Sequence, residues 1–303
     1  MTRCRLDPSD PRWPSELGDL SQIGCTPPVR SLWVEGNLPA LPGVAVVGSR
    51  RASGAGLEAA RRIGADLARR GVTVVSGFAR GVDEAAHRGC LAAGGRTVAV
   101  LGCGLDVDYP PKRAGLRGEL IRTGALISEY EPTDPPLAWR FPHRNRVIAA
   151  LALAVVVAEA ASESGALSTA RWAADLGREV LAVPGSILGP ASAGSNRLLR
   201  DGARPYLDVS DLADVVPACA APVAARGEHP PRILEPEAPS GSTVDGGEPS
   251  RLLALLGGEP MQREVLGRAL DLSPSRISVL LGEMELAGAI RALPGGLVAR
   301  TRW

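Results

Sequence analysis

The chain has 303 residues, of which 45% are hydrophobic and only 3% aromatic, and its formal net charge is +1. This length accommodates one large domain and a small one, with a core built mainly from Ala, Val and Leu. No run of about 18 uncharged apolar residues occurs, so we expect no membrane-spanning segment. The chain has five cysteines but no C-x-x-C pair, which argues against a disulfide framework or a zinc site. Unpaired cysteines are typical of a reducing compartment and indicate a cytoplasmic protein.

The predicted domain organisation follows the distribution of charge and of proline and glycine. Residues 41–212 carry 21 basic and 17 acidic side chains, whereas residues 213–250 carry two basic and six acidic ones. All cations except one lysine are arginines, which bind phosphate through a planar fork and stack on bases. We predict a short N-terminal segment (1–40), a large sheet domain (41–212), a Pro/Gly-rich flexible linker (213–249) and a small C-terminal domain (250–303).

Short apolar runs rich in valine punctuate the large domain, and segments with helical character separate them. This repeating β-α-β pattern predicts an α/β fold, a Rossmann-like, doubly wound and mostly parallel sheet with helices on both faces. The six runs are Val44–Val47, Val72–Val75, Thr97–Leu101, Ala125–Ile127, Ala154–Ala158 and Val180–Val183.

The segment between the first strand and the first helix is a candidate ligand-binding loop. Gly48, Ser49, Arg50 and Arg51 follow the strand, and Ser53 is placed to cap the helix. Open α/β sheets bind ligands at the carboxyl ends of their strands, and a helix start offers free N–H groups to a phosphate. The loop lacks a G-x-G-x-x-G fingerprint and a Walker A sequence, which disfavours dinucleotide binding and P-loop phosphoryl transfer.

A second candidate loop begins at Ser76, after the second strand. Gly77 and Gly81 would allow its backbone to approach a ligand closely. Asp83 and His87 lie four residues apart and therefore share one helix face. We interpret them as a structural pair whose hydrogen bond fixes the loop. The alternative is acid–base catalysis or half of a metal site, but no second pair completes a metal shell.

Two further segments carry the features of a strand-binding surface. Arg140, Arg144 and Arg146 surround Phe141 and Asn145, and such a cluster suits a single strand because phosphates pair with arginine and bases stack on an aromatic ring. The alternative is a helix start whose arginines bind neighbouring carboxylates. After the fifth strand, a loop containing Ser164, Gly165 and Thr169 opens another helix and can cradle a phosphate. Several anion-binding loops along one sheet edge could each hold one phosphate of a polymeric anion, so they favour a polymer as the ligand.

The C-terminal domain has the pattern of a winged helix. Leu252–Leu256, Glu264–Leu270 and a segment opened by Ser273 read as three helices, and a hairpin turn is predicted at Pro294–Gly296. DNA contact and protein contact both remain open for this domain, because few cations lie near the start of its third helix.

The order and spacing of these motifs resemble the DprA/Smf family of DNA-processing proteins from about Val44 to Asp211. The matching motifs are Val47–Arg50, Ser76–Asp83 with His87, Leu101–Asp106 with Tyr109 and Pro110, Ser128–Tyr130, Phe141–Arg146, Glu159 with Ala160, Ser164–Ala170 and Val183–Gly185. The C-terminal domain resembles the optional winged helix of the same family.

The resemblance implies a protein that dimerises, binds and protects single-stranded DNA, and helps to load the RecA recombinase onto it during natural transformation. From the residues themselves we expect no enzymatic activity, cofactor, metal or membrane partner. The residues that the resemblance carries over are Gly48, Ser49, Arg50, Arg140, Phe141, Arg144, Asn145 and Arg146. To these the loops described above add Arg51, Ser76, Gly77, Gly81, Ser164, Gly165 and Thr169.

Two other functions remain as alternatives. Nucleotide phosphoribohydrolases have a related sheet, but they use a Pro-Gly-Gly-x-Gly-Thr-x-x-Glu loop, and the Pro-Gly-Gly of this chain is in the predicted hairpin at 294–296. A transcription regulator would use the winged helix to read duplex DNA and the large domain to sense a ligand.

Overall fold

The computed structural model describes residues 3–111, 113–220, 248–256, 261–270, 272–293 and 297–301. The chain divides into two compact units, Met1–Ala224 and Ala225–Trp303. None of the helices within the described ranges has the length and apolar character that crossing a bilayer requires.

The first unit is built on a sheet of nine strands in the order β1-β2-β6-β5-β4-β3-β7-β8-β9. The pairs β1–β2 and β2–β6 are antiparallel and all the others are parallel. The strands are β1 (Arg3–Leu6), β2 (Leu32–Gly36), β3 (Gly43–Gly48), β4 (Val74–Ser76), β5 (Thr97–Val100), β6 (Ala125–Ser128), β7 (Ala152–Glu159), β8 (Glu179–Ala182) and β9 (Arg204–Pro205). The predicted doubly wound α/β architecture is confirmed.

Helices cover both faces of this sheet. They are α1 (Asp19–Gln22), α2 (Gly54–Arg69), α3 (Val82–Ala92), α4 (Ala114–Thr123), α5 (Arg140–Ala150), α6 (Ala166–Asp175) and α7 (Ala193–Arg200). Side chains alternate along β3, so Val44 and Val46 pack with α2 and α3, whereas Ala45 and Val47 pack with α5 and α6. Both faces of the central strands are therefore buried, which is why β3 and most of β4 and β7 are apolar.

The helices α2 and α3 pack closely because glycine lies at their contact. A Cβ on Gly64 would collide with the carbonyl oxygen of Ala86, and one on Gly89 with that of Arg61. Ser53 caps α2 as predicted, since its Oγ accepts a hydrogen bond of 3.0 Å from the Gly56 N–H. The cap thus fixes where α2 begins, and the two glycines fix how closely it lies on α3.

The ends of the large domain differ from the sequence-based boundaries. We predicted residues 1–40 to be a separate segment, but they supply β1 and β2 to the same sheet. The predicted linker also begins later: Val216 and Cys219 are buried in the core, and Arg70 donates a hydrogen bond of 2.5 Å to the Cys219 carbonyl. The predicted linker residues 221–247 lie outside the described residues.

The second unit has the predicted winged-helix elements. They are α8 (Glu248–Leu255), β10 (Met261–Gln262), α9 (Arg263–Leu270), α10 (Pro274–Leu286), β11 (Ile290–Leu293) and β12 (Leu297–Arg300). The strands form an antiparallel sheet in the order β10-β12-β11. Ser273 caps α10 by accepting a 3.2 Å hydrogen bond from the Arg276 N–H. The predicted hairpin turn at 294–296 lies outside the described residues.

Candidate functional site

The winding of the sheet opens a cleft at its carboxyl edge. From β3 the chain proceeds to β4, β5 and β6 on one side and returns to β7 and β8 on the other. The loops that leave β3 and β7 therefore diverge, and open α/β sheets bind ligands at such a switch point. A cleft of about 820 Å³ lies there, between the loop 49–51 after β3, the loop 161–166 after β7 and the first turns of α5.

This cleft brings together most of the residues that the sequence suggested. Those lining it are Gly48, Ser49, Arg50, Arg51, Phe141, Arg144, Asn145, Ser164, Gly165 and Thr169. Gly77 lines a second cavity of about 330 Å³, which shares Arg50, Phe141 and Arg144 with the cleft. Ser76, Gly81, Arg140 and Arg146 are not among the lining residues of either cavity. Contact of the lining residues with nucleic acid stays a prediction.

The cleft and its neighbouring cavity carry cations that are available to a ligand. Arg50 and Arg51 line the cleft, Arg80 lines the second cavity, and all three side chains are exposed. Within the described part of the chain, none of the three forms an ion pair, whereas nearby Arg88 and Arg113 are both paired with Glu84. The positive charge of this edge is therefore concentrated on the loops that follow β3 and β4.

An aromatic pair lies between the two cavities. The rings of Tyr109 and Phe141 have their centroids 5.2 Å apart, and both residues line both cavities. The Arg50 guanidinium lies 5.3 Å from the Phe141 ring centroid, which is a cation–π distance. A Cβ on Gly102 would lie only 2.8 Å from the Phe141 ring, so the missing side chain makes room for that ring. Tyr109 and Arg80 were absent from the predicted site, although both belong to its motifs.

Arg144 lies at the floor of the cleft but is not a free cation. Its side chain is only 4% exposed and donates to the carbonyl oxygens of Gly77, at 2.7 Å, and Val100. Burial lowers the pKa of Arg144 to about 10, against the attraction of Asp83. The structure thus gives Arg144 a structural role that the sequence did not suggest: its Nη1 donates to both carbonyls and holds the ends of β4 and β5 together beneath the cleft. Contact of Arg144 with a phosphate stays a prediction.

The predicted hydrogen bond between Asp83 and His87 does not form. Asp83 accepts a 3.2 Å bond from the Ala79 N–H, and burial raises its pKa despite the attraction of Arg144. The Thr97 hydroxyl donates to the Val74 carbonyl, so the 2.7 Å contact between His87 Nδ1 and Thr97 Oγ1 makes Nδ1 the donor. Burial lowers the pKa of His87 to about 3 and keeps this ring neutral.

The two other arginines of the 140–146 segment face away from the cleft. The Arg146 side chain is fully buried and its Nη2 pairs with Glu129 at 2.6 Å. Arg140 pairs with Asp134 at 3.2 Å and donates to the Pro135 carbonyl at 2.9 Å. For these two residues the alternative stated above, arginines bound to neighbouring carboxylates, describes the structure.

Asn145 organises the loop after β7. Its Nδ2 donates to the Gly165 carbonyl at 3.2 Å and to the Ser168 hydroxyl at 2.7 Å. These bonds hold the start of α6 against α5, with the edges of both helices in the cleft wall. Asn145 is therefore a residue that positions the loop, and Ser164 and Gly165 are the part of that loop facing the cleft.

A buried carboxylate occupies the start of α2, where the sequence suggested a phosphate site. Glu159 is 4% exposed and accepts bonds from the Ser53 N–H at 2.8 Å and the Ser53 hydroxyl at 2.5 Å. A Cβ on Gly56 would lie 2.7 Å from the same carboxyl group. A protein carboxylate thus already occupies the start of α2, which leaves the exposed arginines and the loop that opens α6 as the cleft's groups for a phosphate.

Ser76 and Gly81 have structural roles behind the cleft wall. Ser76 is fully buried and its hydroxyl donates to the Val46 carbonyl at 2.6 Å. Gly81 has a φ of 82°, and a Cβ there would collide with the Ser49 carbonyl oxygen. Both residues shape the loops that present Ser49 and Arg50. Among the described residues no group of three or more metal-ligating side chains occurs.

Comparison with known proteins places this architecture in a family. Residues 5–217 match the family model of DNA recombination-mediator protein A, and residues 235–296 match that of the DprA winged helix domain. Protein Smf of Escherichia coli is 40% identical over 282 residues, which cover 90% of this chain and 72% of that protein. DNA processing protein DprA of Streptococcus pneumoniae is 44% identical over 188 residues, which cover 61% of this chain and 66% of that protein.

Comparison with solved structures supports the same family assignment. The X-ray structure of the S. pneumoniae DprA superposes with a TM-score of 0.64 at 36% identity, covering 70% of this chain and 73% of that one. DprA of Helicobacter pylori, studied for its single-stranded DNA binding mode, superposes with a TM-score of 0.61 at 27% identity and covers 70% of this chain and 94% of that one. This chain therefore belongs to the DprA/Smf family of DNA-processing, recombination-mediator proteins.

Proposed function

We propose that this protein binds single-stranded DNA in the cleft at the carboxyl edge of its sheet, protects the strand, and helps to load a RecA recombinase onto it during natural transformation or recombination. It acts as a cytoplasmic homodimer and catalyses no reaction. Membership of the family supports a role in DNA processing, and the study of H. pylori DprA supports a single strand as the ligand. RecA and the dimer rest on the family resemblance, and the cytoplasmic location on the cysteine pattern.

One observation carries the proposal for the ligand. Arg50, Arg51 and Arg80 are exposed and unpaired within the described structure, and they line the two cavities that meet at the Tyr109–Phe141 ring pair. Unpaired arginines attract phosphates, and an adjacent aromatic surface accepts a base, so the two together suit a strand whose bases are not already paired. The open cleft of about 820 Å³ has room for more than one nucleotide unit.

The experiment is a titration of a labelled oligothymidine with the full chain, followed by fluorescence anisotropy. Changing Arg50 or Arg51 to Glu reverses a charge in the cleft and should weaken binding at least tenfold, since each neutralised phosphate contributes strongly at low salt. Arg96→Glu is the matched control, because Arg96 is exposed but directly precedes β5 and so lies at the opposite edge of the sheet. Equal affinities for all three variants and the wild type would refute the cleft as the binding site.

The hydrolase alternative makes a different prediction. Among the described lining residues, Glu163 is the exposed carboxylate, whereas Asp83 is buried beneath the loops. A nucleotide phosphoribohydrolase would release adenine from AMP with the help of such a carboxylate. We expect no free adenine when the protein is incubated with AMP and the mixture is separated by chromatography. Adenine release that disappears in Glu163→Gln would establish the hydrolase instead.

A further inference from the structure

Two short segments beside the cleft each expose a pair of large apolar side chains. These pairs, which we call the apolar rims, are Leu137 with Trp139 and Ile187 with Leu188. Their side chains are 43%, 58%, 89% and 93% exposed, respectively. In both segments the neighbouring prolines and alanines line the cleft itself. Exposing this much apolar surface is unfavourable in water, and its position beside a ligand cleft indicates a binding role.

The Trp139 ring is held in place although it is exposed. The Arg140 guanidinium lies 5.5 Å from the Trp139 ring centroid and 4.5 Å from that of Tyr130. The Tyr130 and His143 rings contact Trp139 edge-on, with centroids 6.4 and 5.9 Å away. Asp134 also pairs with Arg140, so the indole is held by neighbouring side chains that are themselves fixed before any ligand binds. A ring whose orientation is already fixed in the free protein loses little side-chain entropy on binding.

The charge of the cleft indicates what covers the rims. Arg50 and Arg51 line the cleft and Arg80 lines the neighbouring cavity, all without acidic partners in the described structure, so an anionic polymer is the complementary ligand. A duplex presents phosphates but keeps its base faces stacked inside. A single strand presents phosphates together with flat apolar base faces, which are the surfaces that Trp139 and its neighbours can cover.

We propose that the apolar rims are base-contacting platforms, with Trp139 stacking on one base and the Ile187–Leu188 pair packing on another, while the strand phosphates lie on the arginines between them. Arg140 is then a positioning residue for Trp139 and makes no phosphate contact. The inference rests on the proposed function and adds to it the reason for preferring single strands over duplexes.

The test compares oligothymidine with an abasic oligonucleotide of the same length, which keeps the phosphates and lacks the bases. Both are titrated by fluorescence anisotropy against the full chain and against Trp139→Ala, Trp139→Phe and the double variant Ile187→Ser/Leu188→Ser. Ile23→Ser is the control, since Ile23 is 38% exposed and follows α1, whose Asp19 pairs with Arg178 at the amino end of β8. Circular dichroism verifies that each variant is folded.

We expect Trp139→Ala to weaken oligothymidine binding by roughly 5- to 140-fold, the range for loss of one stacked base. The double variant should also weaken it, and neither change should affect the abasic oligonucleotide. Trp139→Phe should retain most of the affinity, and Ile23→Ser all of it. Rim variants that bind oligothymidine like the wild type would overturn the inference and leave the rims to a protein partner. Equal weakening for both oligonucleotides would overturn it too, and a wild type that binds neither would remove the proposed function itself.

Discussion

Replacing Arg144 by Met tests whether this arginine holds the floor of the cleft. The substitution keeps an unbranched side chain of similar length in a site that is 4% exposed. It removes the donor to the carbonyl oxygens of Gly77 and Val100 and the stronger of the two arginine charges, Arg144 and Arg50, that attract the buried carboxyl group of Asp83. The free energy of unfolding should therefore fall. A residue that only contacted the ligand would not produce this loss of stability.

The size of this loss follows from the groups left behind. Each carbonyl oxygen left without its donor costs about 1–3 kcal/mol, and losing the cation that attracts a buried carboxyl group adds to this cost. These contributions overlap, so we expect a loss of roughly 3–5 kcal/mol, a large part of the stability of a typical domain. Asp83→Asn in the Arg144→Met background removes the unpaired charge and should restore at least about 1 kcal/mol.

The loss should also depend on pH with a defined sign. Burial already raises the pKa of Asp83, and without Arg144 it should rise further. A group whose pKa is higher in the folded than in the unfolded chain stabilises the folded state at low pH and loses that contribution as the pH rises through the folded value. The deficit of Arg144→Met should thus be largest at neutral pH and shrink on acidification, and the Asp83→Asn double variant should lack this trend.

Urea unfolding followed by tryptophan fluorescence measures these values, because Trp13, Trp33, Trp139 and Trp172 all lie in the first unit. Arg96→Met is the control, since it removes an exposed arginine. A deficit for Arg144→Met below about 1 kcal/mol, within the range of ordinary surface substitutions, would refute the reasoning and return Arg144 to the ligand-facing role suggested by the sequence.

Three further predictions concern the cleft and the two units. Glu159→Gln should lower the free energy of unfolding by roughly 1–2 kcal/mol, because the charge that accepts both Ser53 bonds is lost; unchanged urea unfolding would contradict it. Deleting residues 225–303 should leave a folded first unit that still binds oligothymidine, as judged by circular dichroism and anisotropy; a folded fragment without binding would assign the strand to the winged helix. Binding by the wild type should weaken with salt by roughly 0.7 log units per neutralised phosphate per decade, and Arg50→Glu should flatten this slope; a slope unchanged in that variant would exclude Arg50 as a phosphate contact.

The parallel part of the sheet was predictable because each of its main strands is a local pattern. A buried parallel strand is apolar on both faces, so runs such as Val44–Val47 and Ala154–Ala158 stand out between helices. The strands β1 and β2 were missed because their place in the sheet depends on distant pairing. Leu32–Gly36 joins the sheet only through β6, about ninety residues later in the chain, and no local pattern reports that contact.

The site was predictable at the level of loops and less so at the level of side chains. The loops at Ser49 and Ser164 could be placed because they follow strands whose carboxyl ends meet at one edge. The arginines of α5 were treated as one cluster, yet Arg144 and Arg146 lie on nearly opposite sides of the helix, about 160° apart, because a helix turns about 100° per residue. Helical periodicity therefore contained a signal that separates them. Pairing of Arg146 with Glu129, on a different element, depends on the tertiary structure.

The central claim is that a single DNA strand lies in the cleft at the carboxyl edge of the sheet. The most direct measurement is photo-cross-linking of the full chain to an oligonucleotide containing 5-iododeoxyuridine, with the linked peptides identified by mass spectrometry. We predict cross-links in the peptides that contain Tyr109 and Phe141, the ring pair between the two cavities. Cross-links confined to the winged-helix unit, with none in these peptides, would contradict the account.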